Sequence, residues 1–239
     1  MAASAPATPT PTAPATPTAT TLPTATPTTP TRQSSAPPDQ ITLAFAGDVH
    51  FERAARALLA DSSPLTTGLR DTIGRADFAM VNLETALGEG GAPLPGKAYA
   101  FRAPVSSLDV LARAGVDAVS MANNHAADFG EAVFAQTLAA RRGAPIPIVG
   151  VGRDEAEAFA PLRLDVQGVS VAVLASSQLR EETSRDHAAG PAEPGIATNL
   201  DPGPLRRAVR AAAASTVTDS TPVWAPAPSL LYQTKLPSP

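Results

Sequence analysis

Cysteine is absent from this chain of 239 residues, and aromatic residues make up only 4% of it. Without cysteine the protein has no disulfide, no zinc–thiolate site and no thiol nucleophile. Basic residues are not in excess, since 22 acidic and 18 basic side chains give a formal charge of -4. That balance argues against nucleic acid as a partner. The apolar runs are also far shorter than a membrane span requires.

The N-terminal segment, residues 1–40, consists almost entirely of Ala, Pro, Thr and Ser. It has too little apolar area to offset the entropy cost of ordering, so we predict a disordered, polyproline-biased linker. Stalks of this composition often join a membrane anchor or signal to an extracytoplasmic domain. No signal peptide is visible here. We therefore expect the true start to lie upstream, with a plain disordered extension as the alternative.

Strands and helices alternate along residues 41–214. The predicted strands are 41–46, 78–83, 116–121 and 146–149, with a hairpin formed by 162–166 and 169–175. The predicted helices are 52–60, 104–114, 131–142 and 204–214. This alternation predicts an α/β domain in which helices bury the strands of a sheet.

A first polar cluster, Gly47-Asp48-Val49-His50, follows the first predicted strand. Asp48 and His50 are two positions apart, so they leave an extended segment on the same side and can converge on one point. A carboxylate and an imidazole together suit Mn, Fe or Zn. The alternative is a turn in which Asp48 bonds local backbone amides and His50 is solvated.

Two further clusters follow the next two predicted strands. Asn82 and Glu84 share a face and offer a carbonyl and a carboxylate, although Asn82 could instead form an Asx-turn. In the third cluster Asn124 could ligate a metal, His125 could face a substrate, and Asp128 could hold His125. The alternative for Asp128 is a capping box with Glu131 at the start of the next helix.

The position of the three clusters strengthens the functional interpretation. Ligands of open α/β sheets collect at the carboxyl ends of the strands. Asp, His, Glu, Asn and His meeting there have the composition of a metallohydrolase site.

Taken in order, the clusters resemble the capsule-synthesis protein CapA family, which is tied to poly-γ-glutamate capsules and belongs to the calcineurin-like metallophosphatase superfamily. The most specific string is Ala-Asn-Asn-His-Ala-x-Asp-Phe-Gly at 122–130. Further matching stretches are 101–104, 111–115, 136–138 and 150–156. The resemblance covers about residues 41–180. It implies a four-layer α/β/β/α metallophosphoesterase-like sandwich.

The resemblance also implies a site of two divalent metal ions (Mn, Fe or Zn). The implied metal ligands are Asp48, His50, Glu84 and Asn124, with Glu84 as the bridge between the two ions. His125 would stabilise the transition state or protonate the leaving group, together with Asp128. Two metal ions about 4 Å apart can generate a hydroxide and clamp a phosphoryl group.

Two more polar residues are candidates for binding the substrate. Arg102 is a candidate clamp for a phosphate or carboxylate, with a solvated surface arginine as the alternative. Asn82 is the second candidate, because it lies on the same face as Glu84.

The C-terminal part departs from the family pattern. The family has a His-Trp-Gly and a Gly-His-His-Pro-His motif downstream, but this chain has only three histidines, and His187 matches neither motif. We predict an irregular tail for residues 215–239. This tail favours a truncated or frameshifted reading frame over a naturally short protein. We therefore expect an incomplete sandwich with unpaired strand edges and exposed core. We also expect weak metal binding and little or no phosphatase activity.

Two classes of function follow. The first is a metal-dependent phosphoesterase-like hydrolase in the assembly of capsule or another anionic surface polymer. The second is a non-catalytic protein that binds or helps export such a polymer, with a vestigial metal site. In either class we expect an anionic polymer or phosphoester, and membrane-associated capsule-assembly machinery, as partners, and no nucleic acid. From the stalk and the resemblance we expect a protein outside the cytoplasm, at the cell surface or the membrane.

Overall fold

The computed structural model describes residues 40–215. The linker predicted for residues 1–40 and the tail predicted for residues 215–239 fall outside it, apart from residues 40 and 215. The described strands are β1 Leu43–Val49, β2 Phe78–Leu83, β3 Ala86–Leu87, β4 Arg102–Ala103, β5 Ala118–Ser120, β6 Ile148–Val149, β7 Val151–Gly152, β8 Leu162–Val166, β9 Val169–Val173 and β10 Gly195–Ile196. The α-helices are α1 Ser63–Asp71, α2 Ser107–Arg113, α3 Gly130–Ala140, α4 Glu155–Ala158, α5 Glu182–Asp186 and α6 Pro202–Ser215.

The centre of the fold is a four-stranded sheet in the order β1-β2-β5-β6. All three pairings are parallel. The strands are joined by crossovers that contain helices, as parallel neighbours require. The predicted α/β class is therefore confirmed, and the carboxyl ends of the strands meet at one edge of the sheet.

Alternation along β2 divides the core between the two faces of the sheet. Val81 and Leu83 belong to the larger cluster, which also contains Leu108 and Leu111 of α2 and Phe134 of α3. This face carries the helical layer. A strand buried on both faces reads as a nearly continuous apolar run, as Phe78–Leu83 does.

The other face of the sheet is covered by the β8–β9 hairpin. Phe78 and Met80 of β2 form a second cluster with Val173 of β9, against which Leu162 and Leu164 pack. A third cluster joins α4 to α6 through Ala158, Phe159, Leu205 and Ala208. Helices, parallel sheet and hairpin thus form successive α, β and β layers.

β1 is an edge strand within the described part of the chain. It pairs with β2, and no other strand of residues 40–215 pairs with it. Its Phe45 side chain is 54% exposed although the strand is apolar. Within residues 40–215 the outer edge of β1 is thus unpaired, as the edge strands of any open sheet are.

Several predicted elements differ from the structure in type or length. Residues 53–59 form a 3-10 helix instead of an α-helix. β1 ends three positions later than predicted, at Val49 instead of Ala46, so Asp48 lies inside the strand. No helix among residues 40–215 combines the length and apolar composition needed to cross a bilayer.

Candidate functional site

The three predicted clusters meet at the carboxyl edge of the sheet. Asp48 of β1 is the register partner of Asn82 in β2, and Asn82 is the partner of Ser120 in β5. A cavity of about 760 Å³ opens beside this edge. Four of the predicted site residues line it, namely Asp48, Glu84, Asn124 and His125.

A chain of side-chain amides holds the three clusters together. Asn82 Nδ2 donates to Asp48 Oδ1 over 2.8 Å. Asn123 Nδ2 donates to Asn82 Oδ1 over 3.0 Å and to the Leu83 carbonyl over 2.9 Å. Asn123 Oδ1 in turn accepts from the His125 backbone N–H over 3.0 Å. Asn82 therefore braces Asp48 instead of forming an Asx-turn, and that alternative was wrong.

His125 is held by a buried carboxylate. Its Nδ1 lies 2.6 Å from Asp128 Oδ2, and Asp128 is fully buried. A carboxylate can only accept hydrogen bonds, so Nδ1 carries the proton. His125 Nε2 then faces the other way, 3.9 Å from Glu84 Oε1. The predicted contact between Asp128 and His125 is observed.

Asp128 is satisfied by two more donors from the segment before α2. Lys97 Nζ donates to Asp128 Oδ1 and also to the Asn124 carbonyl. The Phe101 backbone N–H donates to Asp128 Oδ2 over 2.8 Å. The predicted capping box with Glu131 was wrong, because Phe129 is the N-cap of α3 and makes no side-chain cap bond. Asp128 is committed to the site and not to the helix.

The Phe101 ring lies between two imidazoles. Its centroid is 4.5 Å from that of His50 and 4.4 Å from that of His125, with interplanar angles of 14° and 29°. Two rings cannot occupy one face of a phenyl group at these distances, so the histidines lie on opposite faces. His50 Nδ1 also accepts from the Glu52 backbone N–H over 3.3 Å. The alternative of a merely solvated His50 was wrong.

Glu84 carries the most perturbed carboxyl of the cavity. Burial raises the pKa of Glu84 above its usual range, and the neighbouring Asp48 carboxylate raises that pKa further. The nearby His125 works in the opposite direction. Two carboxylates crowded in this way are disfavoured while both are ionised, unless a cation lies between them.

The donor set fits one divalent cation. Asn124 is 6% exposed, and its Oδ1 is buried without accepting a hydrogen bond from the described residues. Buried polar atoms of this kind are rare unless an ion or water satisfies them. Asp48, Glu84 and Asn124 line the same cavity, and their side chains offer three oxygen donors, the donor type that suits a hard cation.

One of the four implied metal ligands lies apart from the other three. His50 is stacked on Phe101 and is absent from the residues that line the cavity. Among residues 40–215 no group of three or more His, Asp or Glu side chains is arranged to hold a metal ion. The cavity therefore brings together Asp48, Glu84 and Asn124 but not His50.

Arg102 is engaged away from the cavity. Its guanidinium carbon lies 4.5 Å from the centroid of the Phe129 ring, and Nη1 donates to the Gly90 carbonyl. This is neither a substrate clamp in the cavity nor a solvated surface arginine. The arginine ties the loop before β4 to the start of α3.

Sequence reasoning missed several residues of the cavity. Lys97, Tyr99, Glu181 and His187 also line it. Glu181 Oε2 accepts from Asn124 Nδ2 over 2.7 Å. No spacing rule links these residues to the three clusters. The one local sign of a role for this segment was His187 itself, a histidine in a polar stretch that matches neither distal motif of the family.

Comparison with known proteins assigns the chain to a family. The model of the bacterial capsule synthesis protein family PGA_cap matches residues 42–223. The match extends past residue 180, where the resemblance was expected to end. No curated protein matches the chain. Because the family model covers more than half of the sequence, the chain belongs to the bacterial capsule synthesis protein family PGA_cap.

Proposed function

We propose that this capsule synthesis protein contains a phosphoesterase-like site that binds one divalent cation and that its turnover is impaired. Among Mn, Fe and Zn, a set of oxygen donors favours Mn. The observation that carries the proposal is the convergence of Asp48, Glu84, Asn124 and His125 on one cavity. Oxygen donors for a cation and a braced imidazole for proton transfer thus line one wall of the same space.

Each residue has a distinct part in this proposal. Asp48, Glu84 and Asn124 would hold the cation, which when bound supplies Lewis-acid polarisation of a phosphoryl oxygen. With Nδ1–H held by Asp128 over 2.6 Å, Nε2 is the atom that would carry the second proton of the imidazolium. His125 would give that proton to the leaving oxygen as water attacks phosphorus and the P–O bond to the leaving group breaks. Asp128 keeps the imidazole in this orientation and stabilises its positive charge.

The charge of the cavity makes anion binding depend on the cation. Four carboxylates line it, those of Asp48, Glu84, Glu181 and Asp186, against the single ammonium of Lys97. The Lys97 ammonium is already paired with Asp128. A phosphate or carboxylate is therefore repelled by these carboxylates, and a divalent cation weakens that repulsion and gives the anion a positive charge to bind.

Impaired turnover follows from the ligand count. Phosphoesterases with two metal ions use one ion for the attacking oxygen and the other for the leaving oxygen. The three oxygen donors here suffice for one ion, which leaves either the nucleophile or the leaving group without its cation. We expect little or no turnover of phosphate esters for this reason.

The biological setting is part of the proposal. We propose that the substrate is an anionic surface polymer, poly-γ-glutamate or a related chain, or a phosphoester from its assembly. The membership in a capsule synthesis family supports this choice. We further propose that the protein works outside the cytoplasm beside membrane-associated capsule-assembly machinery, which the stalk-like composition of residues 1–40 supports.

Binding of phenylphosphonate, a phosphate ester mimic that cannot be hydrolysed, tests the site. With Mn²⁺ the full chain binds the mimic; without Mn²⁺, or after Asp48→Ala, binding is lost. Asp109→Ala, on the exposed face of α2, retains it. Binding that needs no cation, or that survives Asp48→Ala, contradicts the proposed cation site.

The impaired turnover is tested separately with p-nitrophenyl phosphate as substrate. Mn²⁺-dependent hydrolysis that is abolished in Asp48→Ala would contradict the claim that turnover is impaired.

A non-catalytic polymer-binding role is the second candidate. It is favoured because, among the described residues, no group of three His, Asp or Glu side chains is arranged to hold a metal ion. In this case poly-γ-glutamate binds the wild type and the His125→Asn variant equally, because no proton transfer is needed. If the polymer fails to bind with and without Mn²⁺, this candidate is excluded.

A further inference from the structure

Glu181 contacts the candidate metal ligand Asn124 from a distant part of the chain. It lies immediately before α5, 57 positions after Asn124, and its Oε2 accepts from Asn124 Nδ2 over 2.7 Å. Both residues line the same cavity. The contact joins the loop after β5 to a segment that none of the three sequence clusters includes.

This contact decides which end of the Asn124 amide is available. An ionised carboxylate has no proton to donate, so only the NH₂ group of Asn124 can face Glu181. The opposite atom, Oδ1, is then turned away from Glu181. It is the atom that stays buried without accepting a hydrogen bond from the described residues. The pairing therefore leaves an oxygen, and not an NH₂ group, without a hydrogen-bond partner among the described residues.

We infer that Glu181 is a positioning residue for cation binding, which acts by holding Asn124 with its Oδ1 free. This inference rests on the proposed cation site. Groups that hydrogen-bond to a metal ligand fix its orientation, and their loss typically costs about 10–100-fold in metal affinity. The role does not require the charge of Glu181, only an acceptor at that position.

Calorimetric titration of the full chain with Mn²⁺ tests this role. Glu181→Ala weakens Mn²⁺ binding by about tenfold. Glu181→Gln keeps an acceptor oxygen within reach of Asn124 Nδ2 and recovers most of the affinity. Glu131→Ala removes an exposed carboxylate of α3 and leaves binding unchanged. Thermal unfolding without metal shows that each variant is folded before the titration.

A double-mutant cycle separates positioning from direct ligation. If Glu181 acts through Asn124, Glu181→Ala has little further effect in an Asn124→Ala background. Equal losses for Glu181→Gln and Glu181→Ala would overturn the inference, because they would show that the carboxylate charge binds the ion. Wild-type affinity in Glu181→Ala would overturn it as well. If the wild type itself binds no Mn²⁺, the proposed function fails and not only this inference.

Discussion

His125 Nδ1 lies 2.6 Å from Asp128 Oδ2, and the carboxylate that holds the imidazole is itself fully buried. Asp128 is paired on its other oxygen with Lys97, whose side chain is 12% exposed. Removal of one partner of a buried ion pair leaves the other charge uncompensated, which is costly. The site therefore contributes to the stability of the fold through the same carboxylate that orients its histidine.

Removal of either partner of this pair should destabilise the protein. Asp128→Asn strands the Lys97 ammonium and should lower the free energy of unfolding by about 3 kcal/mol. Lys97→Met leaves Asp128 with two donors, from His125 and Phe101, and should cost about 2 kcal/mol. Urea unfolding measures both values.

The double variant Lys97→Met/Asp128→Asn should cost clearly less than the sum of the single costs, because the two residues act as a pair. The exposed pair Arg75–Asp71, separated by 3.8 Å, provides the control. Arg75→Met should change stability by less than about 0.5 kcal/mol. Strict additivity at Lys97 and Asp128 would show that the buried pair is not coupled.

Phe101 should keep both stacked histidines in place. Phe101→Leu removes two ring contacts and should cost about 1 to 3 kcal/mol of stability. The chain has only three histidines, so their NMR signals can be assigned. The ring protons of His50 and His125 should move downfield when the shielding of the phenyl ring is lost. Those of His187 should stay in place.

Phe45→Leu is the matched control for Phe101→Leu. Phe45 is 54% exposed on β1, and its ring contact is with Phe78 at 6.3 Å. The signals of the three histidines should be the same as in the wild type. If Phe101→Leu also left them unchanged, the stack would not persist in solution.

The raised pKa of Glu84 makes stability depend on pH in a defined direction. Burial and the Asp48 carboxylate raise this pKa, so the folded state holds the Glu84 proton more tightly than the unfolded state does. The resulting contribution is full below the unfolded pKa and is lost as pH rises through the folded pKa. The metal-free protein should therefore lose stability as pH rises from the unfolded-state pKa of Glu84 through its folded-state pKa.

Comparison with Glu84→Gln isolates this contribution. The variant has no proton to lose, so the wild type should become less stable relative to Glu84→Gln as pH rises across the window. Urea unfolding over a pH series measures the difference, in which the other carboxyl groups largely cancel. At neutral pH, saturating Mn²⁺ should make the wild type more stable than Glu84→Gln. A difference that is independent of pH would refute the assignment.

Local patterns were enough to predict the elements of the sheet and part of the site. The apolar run Phe78–Leu83 and the polar residues after it predicted where Asp48, Glu84, Asn124 and His125 meet, because parallel strands align their carboxyl ends. The family match spans these same strings.

Long-range packing could not be predicted in the same way. The contact of Asp128 with His125 was predicted, but the Lys97 ammonium that pairs with the other oxygen of Asp128 was not. Arg102 reads as an anion clamp, yet the Phe129 ring and the Gly90 carbonyl hold it elsewhere. Glu181 carries no local signal. Each of these contacts depends on which loops are brought together in the folded chain.

The number of Mn²⁺ ions bound per chain tests the central claim most directly. Electron paramagnetic resonance of free Mn²⁺ in a titration against the metal-free full chain gives this stoichiometry. A site built from the oxygens of Asp48, Glu84 and Asn124 predicts one ion per chain, lost in Asp48→Ala and kept in Asp109→Ala. Two ions per chain, or none, would contradict the account.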